Sequence, residues 1–240
     1  MISGLIWFLF LLVNADIGNC FDISHSRIEI SIAPSKDYTD SIAVKNTEKG
    51  SLIITVRIEN WTKAVPSLDW LKVSPLELEL NEGASGEIRY EVKVPKEAKG
   101  ELNAMIFIEG KPKEIAEGSI GINTSIGVPI YATIAGTEQV EADIEELKAV
   151  NKFPLSMELK IKNSGNVHIR PKGTISVKTK EGKELFTVPL NEYNYPVLPD
   201  SSRTWEIKAN KKLENGEYTA DVNMLYRGRA CRTKKTIKVD

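Results

Sequence analysis

Between positions 119 and 136 the chain reads SIGINTSIGVPIYATIAG. The even positions, Ile120, Ile122, Thr124, Ile126, Val128, Ile130, Ala132 and Ile134, are aliphatic or β-branched almost throughout, and the odd positions are small or polar. Successive side chains of a strand point to opposite faces, so a period of two held without a slip dictates a strand with one apolar face. The run exceeds the usual strand of about 5–6 residues. Pro129 has no N–H to give a ladder, which places it at an edge or a bend. This divides the run. Residues 128–134 serve the domain's own core, and Ile120, Ile122 and Ile126, with Val128 at the boundary, are the candidate contacts to a partner strand.

The same alternation fills most of the chain. RIEISIAP (27–34), DSIAVKN (40–46), SLIITVRIENW (51–61), LELEL (76–80), GEIRYEVKV (86–94) and AMIFIEG (104–110) precede the long run, separated by turn-rich TEKG, NEGAS and PKEAKG. A second series follows at 154–163, 173–180, 184–190, 203–210, 217–226 and 232–239. Residues 136–150 read as a short linker and an edge strand, since Val140, Ile144 and Leu147 give no clean helical face. The fold class is therefore all-β, with two tandem immunoglobulin-like antiparallel β-sandwiches at 21–136 and 137–240.

The halves also resemble each other. VKNTEKGSLIITVRI corresponds to IKNSGNVHIRPKGTISV, and the pairs Gly100-Glu101 and Gly216-Glu217 open matching strands. Two copies of one module account for this.

Residues 1–20 form an export signal. LIWFLFLLV (5–13) is too short to span a bilayer, which needs about 20 residues, and has the length of a signal core. Cleavage is expected near positions 15–20, and a lipid-modified Cys20 is the rival reading. The protein is thus placed outside the cytoplasm, periplasmic or at the cell surface, with a membrane link only through this segment if it is retained or lipidated. In an exported chain Cys20 and Cys231 invite a disulfide, but their positions in different modules argue against one.

Charge excludes a nucleic-acid reading for the whole chain, with 32 Lys and Arg against 33 Asp and Glu. Residues 21–136 hold 13 basic and 17 acidic residues, and 137–240 hold 19 and 15. The acidic start of the second module (Glu138, Glu141, Asp143, Glu145, Glu146) and its basic end (Arg227 to Lys238) are expected to face each other across a ladder. A basic patch for an anionic partner is the alternative, carried by Arg229, Arg232 and Lys234. Trp61 covers a core edge or recognises a sugar. Tyr193 and Tyr195 in NEYNYPV either pack under a turn or form a ligand surface.

No reaction is specified. His25 and His168 stand apart from any cluster with metal-ligand spacing, and no Gly-x-Ser-x-Gly motif or phosphate loop is present. The reading is non-catalytic and free of cofactors.

WLKVSPLELELNEGASGEIRYEVKVP, AMIFIEG and SIGVPIYATIAGTE together resemble the first domain of the pilus-chaperone-like superfamily, and the domains of WxL-interacting surface proteins. The resemblance covers about 27–136. It implies that the last strand of the first domain completes a partner's sheet, by β-augmentation. It also implies a basic pair, one residue from the first strand and one from this last strand, that holds a partner's carboxyl terminus. Residues 114–136 contain no Lys or Arg. Three functions stay open: an adhesive or scaffolding module with a protein partner in the envelope, a pilus-type chaperone, and a binder of cell-wall glycan.

Overall fold

A computed structural model describes residues 20–61, 67–115 and 120–239. The signal segment lies outside them. Among the described residues no helix is long and apolar enough to cross a membrane.

The first nine strands are β1 (Phe21–Ile23), β2 (Ile28–Ile32), β3 (Asp37–Asn46), β4 (Leu52–Asn60), β5 (Leu71–Ser74), β6 (Glu77–Leu80), β7 (Ser85–Lys93), β8 (Glu101–Pro112) and β9 (Thr124–Ile134). The remainder are β10 (Ala142–Lys152), β11 (Leu155–Asn163), β12 (Lys172–Lys178), β13 (Glu184–Pro189), β14 (Ser201–Ala209), β15 (Gly216–Tyr226) and β16 (Arg229–Val239). The chain is all-β. β1 and β5 are too short to show a period, which is why the alternation alone does not reveal them.

In the first sandwich, β1-β3-β7-β5 packs on β2-β9-β8-β4-β6. The alternating residues meet between the sheets: Ile42, Val44 and Ile88 from one, Ile54, Ile106 and Ile130 from the other, all fully buried. Each such burial contributes about 1.5–3 kcal/mol relative to exposure. The chain changes sheets between β1 and β2, so β2 runs parallel to β9.

In the second sandwich the sheets are β10-β11-β14 and β13-β12-β15-β16. It has its own core, which includes Leu155, Leu159, Ile175, Val177 and Met224. The expected ladder between the acidic and basic strands does not form. β10 pairs with β11 and β16 with β15, on different sheets. The acidic residues of β10 are met by the lysines of β11 instead: Lys160 pairs with Glu145 at 3.1 Å, and Asp143 stands opposite Lys162. Lys235 of β16 reaches only a main-chain oxygen, that of Glu145, at 3.4 Å.

The internal repeat has a physical basis at its Lys-Asn corner. Asn46 and Asn163 are fully buried at the ends of β3 and β11. Nδ2 of Asn46 donates to the carbonyls of Gly50 (2.8 Å) and Leu80 (3.0 Å), and Nδ2 of Asn163 to those of Val167 (2.8 Å) and Val197 (3.0 Å). Each Oδ1 accepts a main-chain N–H two residues on, from Glu48 and Gly165. The sequence offsets, 4 and 34, are identical in the two halves. A buried amide that satisfies three main-chain groups fixes where the strand ends.

Candidate functional site

β9 pairs with β8 from Thr124 to Thr133, but with β2 only from Ile130 to Ile134. Its other edge therefore has no strand partner over residues 124–129 among the described residues. Pro129 stands at the last position of this open edge, as its missing N–H requires. Upstream, Ile120 is 90% exposed and Ile122 69% exposed. They line a hollow of about 150 Å³ with Cys20, Leu52, Pro112 and Thr124. Ile115, also exposed, lies over Gly121, where a side chain would overlap it. Ile126 is half-buried against the core.

Two parts of the sequence reading need correction. Val128 is fully buried, so its side chain belongs to the core and is not presented to a partner. The regular strand is shorter than the alternating text, beginning at Thr124, because a period of two states which face a residue prefers and not whether a neighbour pairs with it.

The base of β9 is closed by a polar clasp between the domains. Glu101 opens β8, Glu29 lies on β2 and Tyr131 on β9, while His168, Arg170 and Arg227 come from the second domain. The His168 ring stacks on Tyr131 with centroids 4.0 Å apart. Its Nδ1 meets Glu101 Oε2 at 2.6 Å and its Nε2 lies 3.6 Å from Glu29 Oε1. Glu101 Oε2 also accepts from the His168 main chain at 3.3 Å and lies 3.5 Å from Arg227. The Glu101 side chain has no exposed surface, and its Oε1 is buried without a hydrogen bond among the described residues. Arg170 donates to Glu29 at 3.2 Å and to the Tyr131 hydroxyl at 3.3 Å. Burial pushes the Tyr131 phenol well above the usual tyrosine range.

Close backbone contacts complete the joint. Gly100 has φ +72°, and a side chain there would overlap the carbonyl of Asn166. Asn166 holds the linker by donating to Thr137 O at 3.0 Å and accepting from Gln139 N at 2.6 Å.

Little in the residues warns of this clasp. Glu101 reads only as part of a Gly-Glu pair that opens a strand, and His168 as the start of a strand, whereas His168 precedes an isolated bridge between Ile169 and Val197. The one available signal was Tyr131, a bulky ring in the otherwise small and polar set of β9.

No family model matches the sequence, and no curated protein matches it. Solved structures do. The YadV chaperone is 10% identical, with a TM-score of 0.50, covering 91% of this chain and 100% of its own. The class 5 fimbriae chaperone CfaA is 18% identical with a TM-score of 0.50, covering 92% and 99%. The complex of Salmonella enterica SafA pilin with the SafB chaperone gives 12% identity and a TM-score of 0.51, covering 91% and 96%. The fold is that of the pilus chaperones.

Within this fold the cations near the base of β9 are already matched. Arg27 and Arg170 both lie on Glu29, at 2.7 and 3.2 Å, and Arg227 lies on Glu101. β9 itself carries no cation. The basic pair that the resemblance implied thus has no member on β9, and Arg170 and Arg227 are engaged across the joint between the domains.

The other sequence candidates fall in separate places. Trp61 packs on Tyr131 with ring centroids 5.3 Å apart, beside the clasp. Tyr193 and Tyr195 line a cavity on the second domain that none of Trp61, Arg229, Arg232 or Lys234 lines. Those three basic residues lie exposed along β16. Cys20 and Cys231 are both free, Cys20 buried in the first core and Cys231 packed against the second. Among the described residues no group of three or more His, Cys, Asp or Glu is placed to hold a metal ion. Both ring nitrogens of His168 face carboxylates rather than a hydroxyl or thiol.

Proposed function

We propose that this chain is an exported, non-catalytic binding protein that acts as a pilus-type chaperone. Its segment with Ile120, Ile122 and Ile126 adds as a strand to a protein partner whose own sheet is incomplete. One observation carries the reading: the edge of β9 at residues 124–129, unpaired among the described residues, continues directly into two exposed isoleucines at alternate positions of the chain. An open edge is a template for another chain's backbone, and alternating side chains supply the fit. Burying an exposed isoleucine contributes about 1.5–3 kcal/mol, so Ile120 and Ile122 are worth more in a complex than in the free protein. The similarity in fold to a chaperone solved in complex with a pilin supports the same reading. A general adhesive or scaffolding role explains the two sandwiches equally well but gives no reason for the exposed pair.

The reading departs from the chaperone resemblance in one respect. The cleft cations are engaged within the chain, so capture of a partner rests on strand pairing and apolar contacts. The test is a pull-down from the native envelope with the wild type and an Ile120→Thr/Ile122→Thr variant. The expected result is capture of a β-sandwich protein lacking one strand by the wild type, and its loss with the variant at unchanged melting temperature. Equal capture by both proteins would refute strand donation.

A further inference from the structure

The second domain carries a cavity of about 420 Å³, in the size range of small-ligand sites, between the end of β13 and the free edge of β14. Its floor is Leu190, Trp205 and Ile207, and its outer wall is the loop bearing Tyr193 and Tyr195.

That loop is rigid. Asn191 donates to the carbonyls of Pro171 and Tyr195 (3.1 and 2.9 Å) and accepts from the Tyr195 N–H (2.9 Å). Arg170 holds the Asn194 carbonyl at 2.8 Å, and Arg203 holds that of Pro196 at 3.0 Å. The Trp205 indole N–H donates to the Leu190 carbonyl at 2.8 Å. The guanidinium of Arg203 covers one face of Tyr195 at 4.4 Å. Tyr193 leans on Tyr195 with centroids 5.6 Å apart, yet is 73% exposed. The loop backbone and the Tyr195 ring are therefore held within the chain, and Tyr193 rests against Tyr195 with a face open to solvent.

The chemistry left over selects the ligand. The main-chain groups of the wall are largely consumed by these internal bonds, so an extended peptide would find few partners on that side. What remains is an exposed ring face, with the carboxylates of Glu192 and Glu206 at the rim, Glu206 lying 3.7 Å from Lys208. Ring faces suit C–H surfaces, and carboxylates accept from hydroxyls. Lys208 also lines the cavity and is engaged by Glu206, so the rim offers an anionic ligand no unmatched cation. We infer that this cavity is a binding site for a neutral saccharide, with Tyr193 as its stacking platform. The site is separate from the open edge of β9 and does not depend on strand donation.

The test is calorimetric titration of the full chain with cellotetraose, chitotetraose and maltotetraose. At least one is expected to bind with a dissociation constant of about 1 mM or tighter. Tyr193→Ala should weaken that binding at least about tenfold, Tyr193→Phe should retain it, and Glu206→Gln should weaken it. Tyr193 is exposed, so these variants keep their fold. The Ile120→Thr/Ile122→Thr variant should bind as the wild type does, which separates failure of this site from failure of the strand-donation reading. Absence of binding by all three sugars, or binding indifferent to Tyr193→Ala, would overturn the inference. So would preferential binding of an extended peptide of alternating Val and Thr, which would make the β14 edge the site.

Discussion

Replacing His168 with alanine probes how the two domains are held. Three contacts reach the buried Oε2 of Glu101, and the His168 ring makes the shortest, at 2.6 Å. The substitution removes that contact and the ring stacked on Tyr131. A hydrogen bond to a charged group contributes about 1.5–3 kcal/mol. Arg227 and the residue 168 main-chain N–H still reach Oε2 after the substitution, so the carboxylate is less well met rather than stranded. His168→Ala, which loses the hydrogen bond and the ring stack, is therefore expected to lower stability by about 2–4 kcal/mol in urea unfolding. Fluorescence of Trp61 reports the event, since its ring lies 5.3 Å from Tyr131. The decisive measurement is the double-mutant cycle with Glu101→Gln, which keeps the shape of the side chain and removes its charge. If the ring's bond to the carboxylate dominates, His168→Ala should cost about 1.5–3 kcal/mol less in the Glu101→Gln background. Effects that add to within about 0.5 kcal/mol would refute the reasoning.

Gly100→Ala should destabilise by about 2–4 kcal/mol, because a left-handed backbone and an overlap with Asn166 act together. Gly83→Ala, at φ +71° with open space around it, should show only the backbone component of about 1–2 kcal/mol in the same melts. Along β9 and its approach, Val128→Thr places a hydroxyl in the core and should cost about 1–3 kcal/mol. Ile122→Thr should change stability by less than about 0.5 kcal/mol, since that side chain faces solvent. Equal losses at both positions would place Ile122 in the core and remove the basis for strand donation.

The clasp also bears on how a partner is met. Tyr131 and Thr133 sit on the polar face of β9, yet both are buried, because the second domain covers that face. The lower half of β9 is thus buried on both sides, and the upper half is open at its edge. At residues 124–129 an added strand would meet an edge already in strand conformation, which limits the ordering cost of binding.

The all-β class, the two modules and the buried face of nearly every strand were legible in the residues. Alternation is a local property, and a strand converts it directly into an inner and an outer face. The Lys-Asn corners of the repeat were visible for the same reason, since each amide acts first on its own turn. Pairing was not legible. The acidic and basic strands of the second module have matching charges but lie on different sheets, and nothing within either strand says so. The open edge of β9 exists only because β2 begins its pairing at Ile130. The clasp joins Glu101 to His168 across 67 residues. Its geometry depends on the angle between two separately folded cores, which no local period encodes. The residues determined what each strand buries, and the tertiary arrangement decided which edge was left uncovered.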